Sequence, residues 1–89
     1  MKDIWIFNGN DGALPAGAFD SKEKAEVFIE KYNLSGCLTK YPVNLSLYDW
    51  TIENEYFEPK KDSQKSSKFI ETFTSAYTEH YHYENGGLY

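Results

Sequence analysis

The chain has 89 residues, nine lysines, no arginine and fourteen acidic side chains, giving a net charge of −5. An acidic chain that lacks the guanidinium fork used to grip phosphates and guanine edges is not built for nucleic acid. It has no run of about 18 apolar residues to span a bilayer, and its single cysteine, Cys37, excludes an internal disulfide and a cysteine-rich zinc site.

One domain is expected at this length, over residues 1–85, with 86–89 as a flexible tail. Aromatic side chains make up 18% of the chain. Each can remove on the order of 150–250 Å² from water, so they can build a core that the aliphatic residues alone would not. Ile4-Trp5-Ile6-Phe7 is a β-rich run closed by Asn8-Gly9-Asn10-Asp11-Gly12, whose residues tolerate positive φ; a first strand and a turn are predicted. The glycines of that turn lack the helix start and the Gly-Lys-Ser/Thr ending of phosphate loops, which argues against an anion site. A second short strand is expected over 16–19. Asp20 and Ser21 then offer caps, with Asp20 and Glu23 as a capping-box variant, ahead of Ala25, Phe28, Ile29 and Tyr32 at helical spacing. This pattern predicts a helix over 21–33 that covers a sheet, ended near Asn33 or Gly36.

Cys37 to Tyr41 reads as a strand that stops at Pro42. The next segment is ambiguous, alternating through Val43, Leu45 and Leu47, yet a short helix over 46–54 with Leu47 and Trp50 facing inward fits better. A loop through Phe57 and Pro59 leads to Ser66 or Ser67 as a cap. Phe69, Ile70 and Phe73 then predict a helix over 67–75 that lays three apolar side chains on the sheet, and a last strand is expected over 77–83. The fold class is thus α+β, in the order β-β-α-β-α-α-β, with a mostly antiparallel sheet of three or four strands and helices chiefly on one face.

Two places hold chemistry. Glu79-His80-Tyr81-His82-Tyr83-Glu84 carries both histidines, and the period of a strand puts His80, His82 and Glu84 on one face, a candidate site for a metal or for acid–base work. The alternative is a polar sheet surface. Tyr48-Asp49-Trp50 joins two aromatics to a carboxylate and reads either as a protein-binding hot spot or as a corner of the core, with Asp49 capping the short helix. Serines and Cys37 are possible nucleophiles, but no nucleophile elbow accompanies them, and a lone cysteine next to Leu38 reads as a small buried hydrophobe. No cofactor is expected.

Leu38-Thr39-Lys40-Tyr41-Pro42, Tyr48-Asp49-Trp50-Thr51-Ile52, Phe57-Glu58-Pro59-Lys60 and Glu79-His80-Tyr81-His82-Tyr83-Glu84 stand in that order in the chain. In these pieces the chain resembles a family of small bacterial proteins known only as a domain of unknown function. The resemblance implies a compact domain from a bacterial cytoplasm and makes the closing segment part of it; it brings no catalytic residue, cofactor or partner. With no signal-like segment after Met1, a cytoplasmic location is expected. Size, acidity and abundant tyrosine point to a non-enzymatic protein-interaction module, inhibitor- or immunity-like, that meets a basic protein partner.

Overall fold

The computed structural model describes residues 3–89. Strands β1 (Asp3–Gly9), β2 (Gly17–Phe19), β3 (Gly36–Pro42), β4 (His80–Glu84) and β5 (Gly87–Leu88) form one antiparallel sheet in the order β2-β1-β3-β4-β5. Helix α1 (Lys22–Lys31) links β2 to β3. The connection from β3 to β4 holds α2 (Leu47–Glu53), a 3₁₀ turn (Asp62–Lys65) and α3 (Ser67–Glu71). The α+β class and antiparallel sheet are as the sequence predicts, with one strand more than expected.

Period-two alternation assigns the faces. Trp5 opposes Phe19 and Lys40, Phe7 opposes Gly17 and Leu38, and Leu38 opposes Tyr81, so these residues share the face that α1 covers. Trp5, Phe7, Leu38 and Tyr83 from the sheet and Ala25 and Ile29 from α1 form the buried core, edged by Phe19, Phe28, Leu34 and Tyr81. Burying a side chain such as Phe7 or Leu38 stabilises the fold by about 1.5–3 kcal/mol each. Ile4, Ile6, Cys37, Thr39 and Tyr41 lie on the opposite face and are half-buried, which is why β1 reads as a continuous apolar run.

Helix α1 starts at Ser21 rather than Asp20, because the Ser21 hydroxyl accepts from the Lys24 amide at 3.2 Å while Asp20 pairs with the Lys24 ammonium. Tyr32, expected to cover the sheet, sits at the C-cap beyond the last helical turn, is 57% exposed and packs its ring on Phe28. Gly36 pairs with Tyr83 and lies opposite Gly9. A Cβ there would stand 2.1 Å from the Asn8 carbonyl oxygen and 2.8 Å from Phe7, so only glycine lets the two central strands approach.

At the end of the chain, where a tail is expected over 86–89, the backbone forms a hairpin. Asn85 (φ 50°) and Gly86 (φ 86°) form a two-residue loop with positive φ at both positions, as a type I′ hairpin requires, and Gly87–Leu88 returns along β4. The Asn85 amide donates to Ser35 Oγ and the Gly86 amide to the Leu34 carbonyl, both at 2.9 Å, anchoring the hairpin to the α1–β3 loop.

Candidate functional site

Helix α2 begins where the Ser46 hydroxyl accepts from the Asp49 amide and donates to the Asp49 carboxylate, both at 3.0 Å. Asp49 is therefore occupied by the cap. Its neighbours on the helix separate. Tyr48 turns into an aromatic cluster with Phe57, Phe69 and Phe73, with ring centroids 5.4–6.3 Å away, and its hydroxyl donates to the Gln64 carbonyl at 2.8 Å. Phe69 and Phe73 thus pack on Tyr48 and Phe57, whereas Ile70, expected to face the sheet, is exposed. Helix α3 ends at Glu71, with Thr72 at its C-cap and the Thr72 hydroxyl donating to the Lys68 carbonyl at 3.0 Å.

Trp50 faces away from that cluster and is half-buried. Thr51 takes the inward position beside Leu47, its hydroxyl satisfied by the Tyr48 carbonyl at 2.9 Å. After α2, Glu55 adopts φ 60° and the Tyr56 amide bonds the Thr51 carbonyl at 2.8 Å, a reversal that brings Tyr56 back onto Trp50 with centroids 5.4 Å apart. From the other end of the long connection, the Tyr77 amide donates to Ser75 Oγ and the buried Thr78 hydroxyl to the Ser75 carbonyl, so this segment is a turn and the closing strand begins at His80 rather than at 77. The turn lays Tyr77 on Tyr56 at 4.5 Å and 2°. The result is a surface ladder, Trp50–Tyr56–Tyr77, with Tyr56 47% and Tyr77 66% exposed. Of the expected surface, only Trp50 belongs to it. Tyr56 and Tyr77 escaped sequence reasoning because both lie in irregular segments, where no periodicity predicts that they meet.

Beside Trp50 a concavity of about 220 Å³ is lined by Asp3, Lys40, Pro42, Trp50, Thr78 and Glu79. The Lys40 ammonium lies 3.4 Å from Asp3 Oδ2 and 3.8 Å from Glu79 Oε1. Glu79 also accepts a hydrogen bond from the Tyr81 hydroxyl, which with partial burial raises the Tyr81 phenol above its ordinary value. On the covered face the Tyr83 hydroxyl donates to Glu26 at 2.7 Å. Burial first, and that carboxylate second, hold its pKa well above the usual phenol.

The imidazoles of His80 and His82 share a face as predicted, with centroids 5.5 Å apart and planes perpendicular. His80 Nδ1 lies 2.8 Å from the Thr78 carbonyl, which can only accept, so Nδ1 carries a proton and, in the neutral ring, Nε2 is the acceptor. Both rings line a hollow of about 290 Å³ with Cys37 and Thr39, whose thiol and hydroxyl are 3.6 Å apart. Glu84 lines a different, larger concavity of about 530 Å³ with Asn10, Ser35, Asn85 and Tyr89, and His82 borders both. Among the described residues no group of three His, Cys, Asp or Glu side chains is arranged to hold a metal ion.

Among the described residues no helix is long and apolar enough to cross a membrane. No curated protein and no solved structure matches the chain. A family model does, over residues 4–88, which takes in the sheet from β1 to the β5 hairpin together with the aromatic ladder. The chain belongs to the family described as "Domain of unknown function (DUF7710)".

Proposed function

We propose that the protein is a non-enzymatic interaction module, inhibitor- or immunity-like, that docks on a basic protein through the Trp50–Tyr56–Tyr77 ladder. The observation that carries this reading is the parallel Tyr56–Tyr77 stack, which leaves two large rings in solvent where burial would have been the cheaper arrangement. Tyr and Trp are the side chains that most often anchor protein interfaces, since they offer large rigid area with a polar tip. Glu53, Glu55 and Glu79 stand next to the ladder in the chain, and the net charge of −5 steers basic surfaces toward it. A cytoplasmic setting in a bacterium is part of the same reading, supported by the lone thiol of Cys37 and by the likeness to small bacterial proteins.

The test is capture from a lysate of the producing cells on immobilised protein, at low and at high salt, with wild type and with the Tyr56→Ala, Tyr77→Ala double variant. A partner held by wild type at low salt and lost from the variant supports docking through the ladder. A partner held equally by both, or none at either salt, overturns it.

A second reading, a metal or acid–base site on His80, His82 and Glu84, draws support from the paired imidazoles and from the Nδ1 bond of His80, which leaves Nε2 as the ligating nitrogen of its neutral ring. Zinc added at neutral pH would then shift both histidine ring resonances together and raise thermal stability by mass action. Unmoved resonances at excess zinc remove that reading.

A further inference from the structure

We propose that the concavity beside the ladder receives an arginine side chain presented by the partner. This rests on the docking reading above and names the chemistry that the ladder's neighbour selects. Four features of the hollow carry it. Its volume of about 220 Å³ suits one long side chain rather than a whole ligand. Among the described residues its lining holds two carboxylates, Asp3 and Glu79, against one ammonium, Lys40, a surplus of one negative charge. Trp50 and Pro42 also line it, an aromatic and an apolar residue beside the charged ones. Lastly, Asp3, Pro42, Lys40 and Glu79 are fixed by the sheet: Asp3 is the register partner of Pro42, and the Lys40 amide donates to the Glu79 carbonyl at 2.9 Å.

A guanidinium fits this set better than an ammonium does. It is planar, so it can lie on the indole while its edge donates to carboxylates, and it is less strongly hydrated, so it gives up water more readily. An ammonium can reach the carboxylates but gains little from the indole's shape. Lys40 already sits between the two carboxylates as an internal cation, and its pairs, partly exposed, are the kind that hold weakly. It therefore acts as a placeholder that an entering arginine competes with and displaces.

The competition gives the test. Acetyl-Gly-Arg-Gly-amide and its lysine counterpart are titrated into the isotope-labelled protein. The Trp50 indole N–H, distinguished from that of Trp5 by its loss in Trp50→Phe, and the backbone signals of Asp3 and Glu79 are followed. The arginine peptide is expected to move these signals and to bind roughly three-fold or more tighter than the lysine peptide. Lys40→Gln should tighten arginine binding and Glu79→Gln should weaken it. Lys60→Gln, which makes the same charge change outside the hollow, should leave binding near the wild-type value. Equal responses to the two peptides, or a Lys60→Gln protein that matches Lys40→Gln, overturn the arginine site. The capture experiment fails or succeeds separately: a partner retained through the ladder but not competed by the arginine peptide leaves docking standing and removes this site. Peptide binding without any captured partner removes docking alone.

Discussion

In the sheet lobe Phe7, Leu38, Ala25 and Ile29 are shut off from water between β1, β3 and α1, whereas the 3₁₀ turn and α3 of the following lobe contain no buried residue. The second lobe is held by ring-on-ring contacts among Tyr48, Phe57, Phe69 and Phe73, and α3 packs on the 3₁₀ turn. The molecule is correspondingly drawn out, 45 × 28 × 19 Å with a radius of gyration of 14.5 Å, against about 12 Å for a compact chain of this length. The difference teaches where stability and recognition reside. Enclosed apolar area holds the sheet together, while half-exposed aromatic contacts of about 0.5–1.5 kcal/mol each shape a surface that stays available to a partner.

That comparison breaks most directly at Phe7 and Phe73. Phe7→Ala should cost about 3–5 kcal/mol in urea unfolding, because it leaves a cavity in a site 1% exposed. Phe73→Ala should cost about 1–2 kcal/mol, since its ring is half-exposed and loses only part of its contacts. Equal losses would mean that the two lobes share one core. Below Phe7→Ala in size, Gly36→Ala should destabilise by about 1–3 kcal/mol, as its Cβ meets backbone oxygen in the central strand pair. Gly12→Ala, whose Cβ has ordinary contacts, should change stability by less than about 0.5 kcal/mol.

Tyr83→Phe sharpens the comparison at the edge of the enclosed core. At neutral pH it should cost about 1 kcal/mol for the lost bond to Glu26. The folded pKa of Tyr83 is raised above its unfolded value of about 10, so the folded state holds a proton that the unfolded chain releases. Its contribution is therefore complete below pH ~10 and is lost as pH climbs from there toward the folded value. Wild-type stability should fall over that range more steeply than that of Tyr83→Phe; parallel curves would show that Tyr83 titrates alike in both states. The smallest effect is local. Amide hydrogens of 62–73 should exchange faster than those of β1 and β3 without any change in global stability, and equal protection would erase the distinction between the lobes.

Local signals determined much of this protein. The period of α1 behind its candidate caps Asp20 and Ser21, the β-rich run of β1 and the alternation of β4 carried the fold class and the shared face of His80 and His82. The Asn85-Gly86 pair is also a strong hairpin signal, but its two residues of positive φ read equally as a loose end until β5 is seen to pair with β4. What no local pattern contains is the meeting of residues from distant irregular segments. Tyr56 and Tyr77 stack because a positive-φ reversal after α2 and a serine-bonded turn before β4 happen to aim at one point in space, and Asp3, Lys40 and Glu79 gather because three strands pair in one register. Periodicity encodes which side of an element faces inward; only the tertiary structure decides which outward side chains become neighbours.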